Sequence, residues 1–310
     1  MIEVVEAGAL TSVQTAGGRS GWRHLGVPVG GAADPWSARL ANRLVGNPDD
    51  AALLEITVLG PSLRFASAAA VGLTGASFDA SLDGLPFPAD VGRHVRRGSL
   101  LRIGRGDGAR GYLAVAGGIE VEPVLGSAAT DLRTGFGGHN GRALRAGDQL
   151  RFGTPSGVTR RWMGHAPDGP VRIVAGPHEG MDRLIGRPWT VGADVDRAGV
   201  RLDGKPLTAE QREVASMGLP LGAIQVPPDG RPIVMLADRP VTGGYPVPAC
   251  VIRADISRVA RLRPGDSVAF ASVSLEEARD ALLRAEDELA ALEDAEAPRD
   301  DEPGWAGALE

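Results

Sequence analysis

The chain has 310 residues, a formal net charge of −6 and one cysteine, Cys250. That balance, without a basic stripe interleaved with aromatics, excludes a nucleic-acid reader, and a lone cysteine excludes a disulfide framework or a zinc knuckle. Lys205, in "DGKPL", is the only lysine, so there is no P-loop, and Schiff-base chemistry would have to use Lys205.

No run of the sequence approaches the roughly 18 apolar residues of a membrane span, and "MIEVVEAGAL" lacks the basic start of a signal peptide. The expectation is a soluble cytoplasmic protein. Glycine, 44 residues of 310, is about twice its usual share of roughly 7%. Spread without a period, it fits many short strands joined by tight turns.

In chain order, Ile2, Val4 and Val5 mark a first strand over 2–6. "TAGGRSGWRHLGVPVGGAAD", 15–34, is a long polar, glycine-rich loop. "DPWSARLANRLVGNPDD" is the clearest helix. Asp34 stands at its N-cap, Pro35 at the first helical position, and Trp36, Leu40 and Leu44 fall on one face. Gly46 suits the left-handed stop and Pro48 ends the helix. Short apolar runs broken by turns follow: "LEITVLG", "SLRF", "AVGLTG", "SLLRIG", "GYLAVAGG" and "QLRF". "TPSGVTRRWMGHAPDGP", 154–170, is Pro/Gly-rich and aperiodic and reads as a linker. A second series of strands comes next: "VRIVAG", "WTVG", "GAIQV", "PIVMLA", "CVIRADI" and "SVAF".

The halves echo each other. "RAGDQLRF" (145–152) returns as "RPGDSVAF" (263–270), and "RSGWRHLG" (19–26) returns as "RAGVRLDG" (197–204). The pattern favours a tandem duplication: a mainly β chain of two similar domains, each closing a sheet around its own core. The expected boundaries are 1–153 and 171–272, with a helix over 273–297 and an acidic tail over 298–310. In that helix Leu275, Ala278, Leu282, Ala285, Leu289 and Leu292 repeat at 3-4-3-4-3 spacing. The seam is short, so it docks on the barrel or on a partner.

Several constellations could carry chemistry. Asp34 is compatible with both an N-cap and a carboxylate at the mouth of a cleft. Arg19, Arg23 and His24 sit among Gly17, Gly18 and Gly21, where backbone N–H and guanidinium groups can hold an anion, though glycine loops more often simply turn. His139 and Asn140 in "DLRTGFGGHNGRAL" read as turn residues. His178, Glu179 and Asp182 lack the second histidine of a metal motif, and no metal is expected. Cys250 reads as core. The best candidate is "AIQVPPDGRPIVMLADRPVTGGYP". "PPDG" makes a hairpin after Gln225, and Asp238 and Arg239 stand where the next strand ends. Gly243 and Gly244 then allow close backbone approach to a ligand. The segment is either a structural turn or also the rim of a site.

"TSVQTAGGRSGWRHLGVPVGGAAD", "ANRLVGNPDDAALLEITVLGP", "GYLAVAGGI", "LGSAATDLRTGFGGHNGRALRAGD", "GAIQVPPDGRPIVMLADRPVTGGYP" and "LRPGD" together carry a resemblance. In order, from about residue 3 to 272, the chain resembles the allophanate hydrolase subunit 2 family, also called the KipA family or the family of the 5-oxoprolinase C component. The resemblance implies two tandem cyclophilin-like β-barrel domains with few helices and a C-terminal helix. It implies a KipI-like second subunit and, in 5-oxoprolinase, a third subunit, hydrolysing 5-oxo-L-proline to glutamate with ATP at the level of the complex. A similar module is the carboxyltransferase part of urea carboxylase, where carboxybiotin meets urea. Some members are labelled allophanate hydrolase subunits and a few are regulators. The sequence departs from the family pattern at Pro240 and Val241, at Ala128 and Ala129, and at Ala198.

All three substrates carry an amide or urea-type carbonyl, whose activation needs an oxyanion stabiliser and a proton carrier. On this reading Asp238 or Asp34 supplies the carboxylate, with Tyr245 at the catalytic centre positioning substrate alongside Gln225. Arg239 and the backbone of Gly243 and Gly244 bind an anionic group, and Arg19 and Thr242 also belong to the substrate-binding set.

Overall fold

The structure, a computed structural model, describes residues 1–155, 157–164, 167–207 and 214–294. Strands between Ile2 and Phe152 build one eleven-stranded sheet, and strands between Val171 and Ser272 build an eight-stranded one. The protein is therefore mainly β, with two nearly closed barrels. The expected tail, 298–310, lies outside the described residues.

Strand Leu100–Val115 organises the first barrel. Its first half pairs with Ser62–Phe65 and Phe78–Leu82, and its second half with Leu53–Leu59 and Ala69–Gly75. Side chains alternate across a strand. Leu113 and Val115 thus enter the barrel core with Leu54, Ile56, Val71 and Leu73. Tyr112 and Ala114 face outward with Leu53 and Ala70. That outer face is covered by helix α1, Pro35–Leu44, through Ala38 and Ala41. Burial on both faces explains why "AAVGLTG" reads as a continuous apolar run. As expected, Asp34 caps α1, accepting from Ser37 N at 2.9 Å, with Pro35 in the first turn.

In the second barrel, the outermost strands of the pairing order are Ser267–Val268 and Phe270–Ser272. They are nearly consecutive in sequence, so the two edges of the sheet meet. All its pairings are antiparallel except Val171–Ala175 with Phe270–Ser272. Trp189, Ile173, Val200, Leu202 and Ile224 fill its interior.

The repeat is visible at one of its two matches. Arg145 N and Arg263 N each donate to the Oδ2 of the aspartate three residues on, Asp148 and Asp266, at 2.7 Å. The other match divides: 23–25 is a single 3-10 turn inside the long loop, whereas 199–203 is a barrel strand.

Helix α2, Ile256–Ala260, and helix α3, Leu275–Ala290, complete the chain. Ser274 and Glu277 form a capping box at the start of α3. The helix ends at Ala290, short of the expected 297, and residues Glu293–Asp294 pair with Arg160–Arg161 of the expected linker. α3 docks on its own chain. Leu289 meets Leu40 and Leu44, and Arg39 grips Glu286 through two bonds of 2.6 Å. The heptad seam is only partly used, because Leu275 is 77% exposed.

The barrels are joined through polar groups. Asp34 is fully buried. Its two oxygens accept from Ser257 Oγ at 2.6 Å and Arg261 Nε at 3.0 Å, both from the second half, besides Ser37. Asp34→Ala removes a helix cap and strands a guanidinium at a buried seam, costing about 3 kcal/mol. Thermal melting checks this: a large drop in Tm is expected, and a loss equivalent to less than about 1 kcal/mol would contradict the assignment of Asp34 as a tie between the barrels.

Candidate functional site

Pairing register places Glu55 opposite Tyr112, both on the outer face of the first barrel. A carboxylate there is tolerable only if it is saturated with donors. Tyr112 Oη donates to Glu55 Oε2 at 2.9 Å and Ala33 N donates to the same oxygen at 2.8 Å. Arg197 Nη1 donates to Oε1, and Arg110 Nε stands 3.8 Å from it. Burial alone would push the Glu55 carboxyl up. Arg197, Arg110 and the Ala33 amide outweigh it, and the group sits below its ordinary value. The Tyr112 phenol is held well above its own by burial and by Glu55.

Arg197 comes from the second barrel, just before strand Gly199–Asp203. Asp196 Oδ1 accepts from Ala198 N and Gly199 N and fixes that turn. The Arg197 guanidinium forks: Nε and Nη2 donate to Asp238 at 2.8 and 3.0 Å, and Nη2 also donates to Gly31 O at 2.5 Å. The series Tyr112–Glu55–Arg197–Asp238 thus crosses from one barrel to the other. Asp238 is its open end, with a side chain 21% exposed. Burial raises its carboxyl above the ordinary carboxylate value, against the pull of Arg197.

Across from Asp238 lies Arg19. It is 1% exposed and packs its guanidinium 4.5 Å over the Phe136 ring. Nη2 donates to Ala129 O and Nε to Val124 O at 3.3 Å, but Nη1 is buried without a hydrogen-bond partner. Burial lowers its pKa, partly offset by Asp131 and Asp238. Arg19 Nη1 and Asp238 Oδ1 each lie 3.6 Å from the point where a Cβ on Gly30 would stand. A Cβ on Gly30, at φ +61°, would be in ordinary van der Waals contact with both groups, so a buried cationic donor without a partner and a carboxylate border one point.

The sequence-predicted residues divide accordingly. Arg19 and Asp238 are brought together. Arg239 is turned to the other side of its loop, donating to Leu219 O at 2.9 Å and Leu236 O at 3.1 Å. Residues Thr242–Gly243 pair with Met217–Gly218, and Gly244 and Tyr245 follow, exposed, on the rim. Gln225 is buried beneath them, its Nε2 reaching Tyr245 O at 3.5 Å. Asp34 stands apart: it is enclosed at the barrel seam with its oxygens committed, not at a cleft mouth. Sequence reasoning does not single out Glu55, Arg110, Tyr112 or Arg197 as site residues. A signal for Glu55 is present, as a lone carboxylate inside the apolar run "LLEITVL". No group of three or more His, Cys, Asp or Glu able to hold a metal occurs among the described residues.

The model of the family described as "Carboxyltransferase domain, subdomain A and B" matches residues 25–272. The chain belongs to this carboxyltransferase-domain family. It is 39% identical over 293 residues to the C component of 5-oxoprolinase from Escherichia coli (strain K12), covering 90% of this chain and 93% of that protein. It is 34% identical to urea amidolyase of Saccharomyces cerevisiae over 90% of this chain, but only 17% of that protein. The crystal structure of the K. lactis urea amidolyase superposes with a TM-score of 0.83 at 30% identity, over 93% of this chain and 20% of that one. The carboxyltransferase-domain match begins at Leu25 and so contains Gly30, Glu55, Arg197 and Asp238, while Arg19 and Arg23 lie just before it.

Glu55→Gln leaves Arg110 buried without a carboxylate and Arg197 with Asp238 alone, a loss of about 3–5 kcal/mol. Chemical denaturation should show it, and Tyr112→Phe, which removes one donor and no charge, should cost only about 1–2 kcal/mol. Equal losses for the two variants would contradict the charge-pairing role of Glu55.

Proposed function

We propose that this chain is the substrate-handling subunit of a multi-subunit amidohydrolase of the 5-oxoprolinase type, opening 5-oxo-L-proline to L-glutamate with a KipI-like partner and a third subunit. The observation that carries the reading is the pair beside Gly30: an unpartnered, buried Arg19 Nη1 and the carboxylate of Asp238, raised by burial. Similarity to the C component of 5-oxoprolinase over almost the full length of both chains supports it.

An amide carbonyl placed in that space has a donor for its developing oxyanion in Arg19 Nη1. Asp238 takes a proton from an attacking water as the C–O bond forms. It returns the proton to the ring nitrogen as the C–N bond breaks. A carboxyl raised by burial suits both halves of this exchange better than an ordinary aspartate. Arg197 holds the Asp238 oxygens in place, and Glu55 holds Arg197.

The N-terminus of the helix after the glycine-rich loop does not fit a nucleotide phosphate. The helix that follows the glycine-rich loop is α1, and the buried carboxylate of Asp34 closes its N-terminus to phosphate. The nucleotide belongs to the complex as a whole, and no step here runs through it. A second reading is a carboxyltransferase module that passes the carboxyl group of carboxybiotin to urea. The description of the matched family and the likeness to urea amidolyase favour it.

Co-purification with the KipI-like partner and the third subunit, followed by glutamate release from 5-oxo-L-proline with and without ATP, tests the proposal. ATP-dependent glutamate is expected, with kcat falling about 10²–10⁴-fold in Asp238→Asn. The acid limb of the wild-type pH profile should lie above the ordinary carboxylate value, since the base is lost as pH falls through a raised pKa, and should vanish in that variant. Full turnover by Asp238→Asn would refute the mechanism. Urea-dependent consumption of carboxybiotin without glutamate would establish the second reading instead.

A further inference from the structure

A half-open cavity of about 220 Å³ lies where the three helices meet. Trp36 of α1, Ala281 and Ala285 of α3, and Trp162 form its apolar wall, and neither Arg19, Gly30 nor Asp238 lines it. The two tryptophan rings meet edge to face, with centroids 5.1 Å apart. Trp36 Nε1 donates to Ala285 O at 3.3 Å, so the polar edge of that indole is already satisfied by α3. Ala281 and Ala285 stand one turn apart on the same face of α3. A longer side chain at either position would take up part of the space.

The rest of the wall is charged. Arg172, Arg258, Arg261 and Arg284 line the cavity, with Glu288 the one carboxylate among the lining residues described. Three of these guanidinium groups are matched by fully buried carboxylates that do not line it: Arg172 and Arg258 share Asp255, and Arg261 pairs with Asp34. Arg172 binds Asp255 through Nε and Nη2, and Arg261 binds Asp34 and Ser37 through the same two atoms, so the Nη1 of each has no hydrogen bond among the described residues. Arg284 is exposed and makes no ion pair or hydrogen bond among them at all, although Glu288 follows it by one helical turn. Apolar walls with a few placed polar groups are the mark of a small-molecule site. The free groups here are guanidinium donors, whose fork geometry matches a carboxylate. A dry cavity of roughly 150 Å³ holds benzene, so the volume here suits one ring with a short arm.

We propose that this cavity binds a small aromatic monocarboxylate, its ring against Trp36 and Trp162 and its carboxylate on Arg284, with further donors from Arg172 and Arg261. Each half of that ligand answers one half of the wall. A bare anion such as phosphate meets the guanidinium groups and leaves the tryptophan and alanine surface in water. An uncharged ring covers that surface and leaves Arg284 without a counter-ion. Arg261 also holds Asp34 and Ser37, so a ligand here rests against a tie between the barrels. Binding to the folded chain alone raises its stability by mass action.

Calorimetric titration of the full-length chain with phenylacetate, phenylacetamide, acetate and inorganic phosphate tests the assignment, with tryptophan fluorescence and Tm read in parallel. Phenylacetate is expected to bind at least about 10-fold more tightly than each of the others. It should also change the tryptophan emission and raise Tm. Arg284→Gln, at an exposed position, should leave the Tm of the unliganded chain unchanged and bring phenylacetate down to the affinity of phenylacetamide. Ala285→Leu keeps a good helix former and fills the cavity, and should remove phenylacetate binding with Tm unchanged or raised. If Ala285→Leu does not fold, Arg284→Gln decides alone. No phenylacetate binding to the wild type at millimolar concentration overturns the proposal. So does equal affinity for the acid and the amide, a preference that survives Arg284→Gln, or binding that survives a folded Ala285→Leu. Phosphate binding tighter than phenylacetate overturns it in favour of a plain anion seat.

Discussion

A carboxylate enclosed at the seam of two barrels cannot stand alone, and Glu55 is the one on which this seam depends. Its oxygens are satisfied from its own barrel by Tyr112 and the Ala33 amide and from the other barrel by Arg197. Removing a buried charge's partner costs several kcal/mol. The same requirement that keeps the halves together therefore fixes where Arg197 points. Arg197 in turn fixes Asp238, which ends the series at the edge of the cleft. On the proposed function, stability and function share one set of bonds, and the strength of each link follows from how little water reaches it.

The loop over 15–34 belongs to the same logic. It is polar and rich in glycine because it runs between the barrels. Its backbone supplies Gly31 O to Arg197, its glycine at position 30 adjoins both Arg19 and Asp238, and Arg23 reaches Leu219 O and Val241 O of the second half. Arg19 faces Asp238, and Arg23 meets Arg239.

Much of this is legible locally. The helix with Asp34, Pro35 and Gly46, the short strands, the "RxGD" turns and the candidate segment at 238–245 follow from period, cap and turn chemistry read within a few residues. Resemblance supplies the barrel type. What escapes is what depends on distance along the chain. Glu55 and Arg197 are separated by 142 positions, and no window of sequence joins them. Asp34 is ambiguous in the sequence for a related reason. Its N-cap role is local, but Ser257 and Arg261, which bury it and commit its oxygens, arrive from more than 220 residues away. The α3 seam follows from spacing alone, and α1 decides which part of it is covered: Leu40 and Leu44 meet Leu289 and leave Leu275 in solvent.

The mechanism turns on Asp238 being a desolvated carboxylate held in register by Arg197. Carbon-detected NMR titration of the Asp238 carboxyl, in wild type and in Arg197→Lys, measures this directly. The expected wild-type midpoint lies above the ordinary aspartate value of about 4. A further rise is expected in the variant, because a lysine cannot reproduce the forked contact. A midpoint at or below the ordinary value, or one that Arg197→Lys leaves unmoved, would contradict this role for Asp238.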